Sequence, residues 1–300
     1  MLSFTGRNKM DRPWPCDSAI RIKSFNDATP NIEVDLGAIS SLKEIYVHWR
    51  FDAKNWEKEM FQLMCVVDAI GGMVPMSLYL PYIPNARMDR MGSDPVRALT
   101  LKTFAKVING MNFKKVYVLD PHSDVATALI DNCEAIYPHL EMSREFVMDS
   151  LVWDDAVWVF PDAGAEHRYM NIPPANAKTV IGAKTRDWET QHITGYVLNN
   201  AESLRDKSVI VMDDIVSHGY TLLFLLREIQ KHMPGSITIL VTHMEESFKD
   251  GELYKALARG EIKAKVVTTD SICRSWSDGV PESELEIELE VCRLKMELII

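Results

Sequence analysis

The sequence predicts an α/β protein of two domains, each a mainly parallel sheet flanked by helices. Three observations predict it. The chain has 300 residues, room for two domains of about 150 residues each. Short β-branched and aromatic runs alternate with helix-length stretches, and such alternation builds parallel sheets covered on both sides. The alternation pauses once, in a polar segment at 139–150, and then restarts.

In chain order the predicted strands are 44–51, 76–82, 115–120, 156–160, 179–183, 208–213, 236–242 and 263–269. Many are apolar on both faces, as buried parallel strands are. The predicted helices are 56–70, 99–110, 124–136, 221–233 and 252–258, and Pro234 with Gly235 stops the fourth. The restart places a domain boundary near residue 148, giving domains 1–148 and 149–300. The apolar-acidic stretch 285–300 fits strand or helix equally.

Composition narrows the function classes. The net charge is -10 and the pI about 5.3. That excludes non-specific nucleic-acid binding, which needs basic patches to release counterions. A small anionic substrate remains compatible, because a few local cations suffice to hold one. The five cysteines (Cys16, Cys65, Cys133, Cys273 and Cys292) are scattered with no C-x-x-C pair, so neither a disulfide framework nor a zinc site is expected. A reducing cytoplasm fits best. The first twelve residues lack the apolar core of a signal peptide. The longest apolar stretch, 60–80, is interrupted by Asp68, Gly71, Gly72 and Pro75, so no membrane span is expected.

In open parallel sheets, ligands bind beyond the carboxyl ends of the strands. The strongest motif lies at one such end: Val209-Ile210-Val211-Met212-Asp213-Asp214-Ile215-Val216-Ser217-His218-Gly219-Tyr220-Thr221. Four apolar residues make a buried strand and two acids end it. A Gly-containing turn then enters an apolar helix at Thr221. Such a turn presents backbone N–H groups to a phosphate at the helix N-terminus, and paired acids can grip vicinal hydroxyls of a ribose. The plainer alternative, that Asp213 and Asp214 only cap the next element, does not explain the whole strand-acid-acid-turn-helix unit.

This segment resembles the 5-phosphoribosyl-diphosphate loop of phosphoribosyltransferases and ribose-phosphate pyrophosphokinases. Three further segments are similar to the second family. Pro81-Tyr82-Ile83-Pro84-Asn85-Ala86-Arg87-Met88-Asp89-Arg90 resembles its ATP segment Pro-Tyr-x-x-x-Ala-Arg-Gln-Asp-Arg. Val118-Leu119-Asp120-Pro121-His122-Ser123-Asp124 resembles its metal and ATP segment. Phe160-Pro161-Asp162-Ala163-Gly164-Ala165-Glu166-His167-Arg168 resembles its Pro-Asp-x-Gly-Gly-x-x-Arg segment. Order and spacing agree from about Asp17 to Asp270. The resemblance implies two phosphoribosyltransferase-type domains, the first carrying the ATP segments and the second the ribose-phosphate loop.

Each segment also has its own chemistry. Arg87 and Arg90 follow a strand and suit bidentate contact with triphosphate oxygens, against the alternative of solvated loop cations. His122, beside Asp120, can ligate a divalent ion or contact nucleotide; a lone histidine is more often structural. Asp162 follows a strand and can hold Mg²⁺ or merely cap a turn. Ala183-Lys184-Thr185-Arg186 follows the 179–183 strand, where the family places a Lys-Arg pair on the diphosphate being transferred. Two cations there neutralise transition-state charge; the alternative is an exposed basic loop.

The resemblance implies diphosphate transfer from Mg-ATP to ribose 5-phosphate, giving 5-phosphoribosyl 1-diphosphate and AMP without a covalent intermediate. It assigns Lys184 and Arg186 to catalysis; Arg87, Asp89, Arg90 and His122 to ATP; and His122 with Asp162 to magnesium. Asp213 and Asp214 are assigned to the ribose diol, and Ser217, His218, Gly219, Tyr220 and Thr221 to its 5-phosphate. Arg168 matches by pattern without an assigned role. A homo-oligomer, dimer to hexamer, is also implied.

The departures from the family cluster at the substrate ends. Its loop reads Asp-Asp-x-x-Asp-Thr-Gly-Gly-Thr, where this chain has Ser217, His218 and the bulky Tyr220. Met88 replaces a Gln, and Phe25-Asn26-Asp27-Ala28-Thr29 lacks the Glu of the adenine segment. These changes motivate an alternative acceptor with the same chemistry, a larger ribosyl 5-phosphate such as ADP-ribose, since an aromatic beside the cradle can stack on a base. A non-catalytic regulatory homologue and a diphosphate-consuming phosphoribosyltransferase are further readings. Retention of Lys184, Asp162, His122 and both acids opposes the former, and the N-terminal ATP-type segments oppose the latter.

Overall fold

A computed structural model of the chain describes residues 1–10, 12–91, 97–146, 155–186, 193–272 and 287–292. The chain divides into two compact units, Met1–Ile136 and Tyr137–Ile300.

The first unit is built on a six-stranded sheet in the order β2-β1-β5-β6-β7-β8. Its strands are β1 (Leu2–Asn8), β2 (Pro13–Pro15), β5 (Leu42–Trp49), β6 (Met76–Leu80), β7 (Lys115–Leu119) and β8 (Cys133–Ile136). The last four run parallel, and β1 lies antiparallel to both β2 and β5. A hairpin of β3 (Ile20–Ser24) and β4 (Pro30–Val34) stands apart, followed by the one-turn helix α1 (Leu36–Ile39). The helices α2 (Trp56–Ile70), α3 (Thr100–Gly110) and α4 (Asp124–Leu129) close the core. Leu63, Val66 and Ile70 of α2, with Leu101, Phe104, Ala105 and Ile108 of α3, are buried at helical spacing against β5, β6 and β7. Each of these side chains except Ala105 contributes about 1.5–3 kcal/mol on leaving water.

The second unit has a seven-stranded sheet ordered β11-β10-β9-β12-β13-β14-β15. The strands are β9 (Val157–Phe160), β10 (Lys178–Arg186), β11 (Ile193–Leu198), β12 (Ser208–Val216), β13 (Ser236–Met244), β14 (Lys265–Thr269) and β15 (Leu289–Cys292). All are parallel to their neighbours except β11, which pairs antiparallel with β10 at the edge. One face packs on α7 (Tyr220–Lys231) and α8 (Glu252–Ala258), through Leu222, Leu223, Leu225, Leu226, Ile229, Leu253 and Leu257. The other packs on α5 (His139–Phe146) and α6 (Ala163–Tyr169), through Met142, Ala165 and Tyr169. Burial on both faces explains why β9, Val-Trp-Val-Phe, is apolar at every position.

The structure corrects several expectations. The predicted helix 124–136 is only α4; its second half turns back as edge strand β8, because Asn132 takes a positive φ of 54° that ends the helical run. The polar segment at 139–150 begins with α5, which packs on β13 and β14 within the second compact unit. The predicted boundary at residue 148 lies outside the described residues. The Lys184 to Arg186 segment lies inside β10 rather than after it, since pairing with β11 prolongs the ladder. Asp213 and Asp214 likewise lie within β12, which continues beside β13 to the pair Val216 and Met244. In the stretch left open, residues 289–292 are strand β15.

Candidate active site

Chain order reverses at β9, which has β10 on one side and β12 on the other. Connections leaving the two flanks diverge there, and the carboxyl ends of these strands border a crevice suited to a ligand. β12 pairs with β9 only over residues 209–211, so Asp213 and Asp214 stand beyond the end of β9. Asp162 leaves β9, Lys184 lies near the end of β10, and residues 217–219 leave β12. The fold thus brings Asp162, Lys184, Asp213, Asp214 and the 217–221 turn to one edge of one sheet.

Asp162 is the N-cap of α6. Its Oδ1 accepts from the amides of Gly164 and Ala165, both at 3.1 Å. Its Oδ2 accepts from Lys184 Nζ at 2.8 Å. Burial pushes this carboxyl up, but the Lys184 hydrogen bond and charge, the Ala165 amide and Arg168 outweigh it and hold the group below its ordinary value. The side chain is 43% exposed, so an ionised carboxylate with a tethered ammonium faces the crevice.

The two loop acids are in unlike surroundings. Asp214 is buried, and its Oδ1 accepts from Arg168 Nη2 of α6 at 2.9 Å. Asp213 is partly exposed, with Oδ1 accepting from the Asp214 amide at 3.0 Å. Burial, then the Asp214 charge and a hydrogen bond between the two carboxyls, raises Asp213 well above the usual carboxylate range. Behind the pair, His139 is fully buried with its Nε2 3.2 Å from the Asp213 carbonyl oxygen and its ring 4.3 Å from that of Tyr169. A carbonyl only accepts, so Nε2 carries the proton. Burial holds the imidazole down at about 4 and therefore neutral.

The turn after β12 is fixed by close packing. Gly219 has φ 76° and is the N-cap of α7; a Cβ there would lie 2.5 Å from Leu253 Cβ. Gly251 packs against the His218 carbonyl with no room for a side chain. Ser217 Oγ lies 2.8 Å from Ser247 Oγ and 3.4 Å from His218 Nδ1. The rings of His218 and Tyr220 are stacked at 6.5 Å with 28° between planes, and Tyr220 is 55% exposed. Thr221 stands in the first turn of α7, where amides without intrahelical partners point outward.

In the first unit, the predicted ATP residues follow adjacent parallel strands. Arg87, Asp89 and Arg90 come after β6, and His122 after β7. Tyr82 anchors its segment in the core, its ring 4.9 Å from Phe51, while Arg87 and Arg90 are exposed. Asp89 Oδ1 lies 3.5 Å from Arg90 Nε. Asp120 is fully buried with a positive φ of 38°, which turns the chain out of β7 towards His122. The side chain of Arg186 lies outside the described residues.

Among the described residues no three ligand-type side chains gather as a metal cage. His122 and Asp162 belong to different units. Magnesium is commonly held by one or two carboxylates plus substrate phosphates and water, and an exposed, ionised Asp162 fits that mode.

Comparison with known proteins agrees with this fold. The family profile "Phosphoribosyl transferase domain" matches residues 154–282. A ribose-phosphate pyrophosphokinase from Ureaplasma parvum is 25% identical over 235 residues, 76% of this chain and 69% of that protein. One from Mycoplasma genitalium is 26% identical over 208 residues, 67% of this chain and 60% of that protein. The crystal structure of phosphoribosylpyrophosphate synthetase from Mycobacterium smegmatis superposes with a TM-score of 0.69 at 17% identity, covering 93% of this chain and 87% of that one; this likeness concerns the fold. Fold and crevice define a protein of phosphoribosyltransferase-type domains. Residues 154–282 match the phosphoribosyl transferase domain, and the chain as a whole is similar to ribose-phosphate pyrophosphokinases.

Sequence reasoning left Arg168 without a role and missed His139 and Ser247. A signal for His139 existed: His139, Met142 and Ser143 recur at helical spacing, and all three are buried. The charges of Glu141, Arg144 and Glu145 masked it. Ser247 carries no local signal, since its partner Ser217 lies on another connection.

Proposed function

We propose that the protein transfers diphosphate from Mg-ATP to the anomeric hydroxyl of ribose 5-phosphate, giving 5-phosphoribosyl 1-diphosphate and AMP. The observation that carries this reading is the gathering of Asp162, Lys184 and the Asp213–Asp214 pair with the N-terminus of α7 at one crevice. The anomeric oxygen attacks the β-phosphorus, the bond from that phosphorus to the α-phosphate oxygen breaks, and AMP leaves while the hydroxyl proton is released. Lys184, tethered by Asp162, supplies positive charge where the transferred group becomes more negative, and Arg186 is proposed to join it. The 217–221 turn presents amides to the acceptor's 5-phosphate. Arg87, Asp89, Arg90 and His122 are proposed to hold ATP in the first unit. Asp162 in the second unit and His122 in the first are each proposed as a Mg²⁺ ligand, and the metal would supply charge neutralisation on the triphosphate when bound. A homo-oligomer from dimer to hexamer belongs to the same proposal.

A second acceptor is favoured by one observation. The His218 and Tyr220 rings stand beside the cradle with Tyr220 largely exposed, which suits stacking on a base. A larger ribosyl 5-phosphate such as ADP-ribose would then receive the same diphosphate. AMP release from Mg-ATP, measured with each acceptor and with a Lys184→Ala control, tests both readings. AMP with ribose 5-phosphate supports the first and AMP with ADP-ribose alone the second. No AMP with either overturns both.

A further inference from the structure

The adjacent acids at the end of β12 look interchangeable in sequence, yet the structure treats them differently. Asp214 has a side chain only 4% exposed, bonded at 2.9 Å to an Arg168 guanidinium that is itself 14% exposed. A carboxylate so enclosed and so paired has no open face for a ligand. Asp213 is partly exposed at the crevice, and its backbone is held from behind by His139. Arg168 reaches Asp214 from α6, the helix that Asp162 caps. The pair therefore ties the acid-bearing end of β12 to the element carrying Asp162.

We infer that Asp214 is a positioning residue that Arg168 locks in place, and that it does not itself meet the ribosyl hydroxyls assigned to its neighbour Asp213 in the proposed acceptor site. This rests on the proposed acceptor site and assigns its residues more narrowly. Removing one member of a buried ion pair leaves the other charge uncompensated, whereas removing both relieves it. The consequence is a split in kinetics, because a lost substrate contact and a lost alignment act on different constants.

The experiment compares Asp213→Asn, Asp214→Asn, Arg168→Met, the Arg168→Met/Asp214→Asn double variant and the milder Arg168→Lys. AMP release gives kcat and KM for whichever acceptor the unaltered enzyme uses, and calorimetry gives direct binding of ribose 5-phosphate and ADP-ribose. For Asp213→Asn, acceptor KM and Kd should rise about 10-fold or more with ATP KM unchanged. For Asp214→Asn and Arg168→Met, kcat should fall about 10- to 100-fold with acceptor Kd within about 3-fold of the original. Arg168→Lys should recover part of that loss, and the double variant should be no worse than Arg168→Met. If Asp214→Asn weakens acceptor binding as Asp213→Asn does, or if the Arg168 and Asp214 effects multiply, the inference is overturned. Failure of the broader reading looks different: the unaltered protein then releases no AMP, and calorimetry alone decides the division between the acids. Absence of binding by either acceptor sinks the division as well.

Discussion

Lys184 Nζ lies 2.8 Å from Asp162 Oδ2, so a cation on β10 is tied to the acid that caps α6. The pair sits at the reversal point of the sheet, and its orientation is set before any ligand arrives. A fixed cation costs no reorganisation when charge develops beside it.

Lys184→Ala should therefore lower kcat for AMP release by about 100- to 1000-fold. The pair is partly exposed, so thermal stability should change little. Steady-state AMP formation and a melting curve on the same preparation check both halves.

The turn at Gly219 should tolerate no side chain. Gly219→Ala puts a Cβ 2.5 Å from that of Leu253 in a backbone with φ 76°. A loss of about 1–3 kcal/mol in unfolding free energy is expected, together with weaker acceptor binding. Urea titration reads the first and acceptor KM the second.

Tyr220 should behave in the opposite way. It is 55% exposed, so Tyr220→Ala should leave stability nearly unchanged. If the ring stacks on a base, KM for ADP-ribose should rise about 10-fold while KM for ribose 5-phosphate stays constant. Equal changes for both acceptors would remove the stacking role.

Acid should weaken the second unit through His139. Burial holds its folded pKa down at about 4, below its unfolded value of 6.5. The folded form thus binds fewer protons, and its stability is full above pH 6.5 and lost as pH falls towards 4. The span corresponds to at most about 3 kcal/mol. His139→Gln, which cannot titrate, should flatten the decline between pH 6.5 and 4 in denaturant unfolding curves.

Magnesium removal should separate activity from folding. With no three-residue ligand cluster among the described residues, EDTA should abolish AMP release while leaving the melting temperature unchanged. A large drop in melting temperature would point instead to a structural metal.

Much of this was legible without a fold. The α2 span Trp56–Ile70 and the α8 span Glu252–Ala258 follow from apolar spacing and breakers, and β9 announces itself as a buried parallel strand by being apolar at every position. The acids and the glycine of the 213–221 segment mark a ligand-binding strand end, since ligands in such sheets gather there. Other features depended on partners distant in sequence. β10 runs through Lys184 only because β11 pairs with it, and α5 joins the second unit only because β13 and β14 offer it an apolar face. The unlike fates of Asp213 and Asp214 depend on Arg168 and His139, which lie 46 and 74 residues away. Chain-local patterns determined which elements form and which residues can do chemistry. Tertiary structure decided which acid is enclosed, which cation is tethered and which helix pins the site, because burial and ion pairing are set by neighbours that only folding brings together.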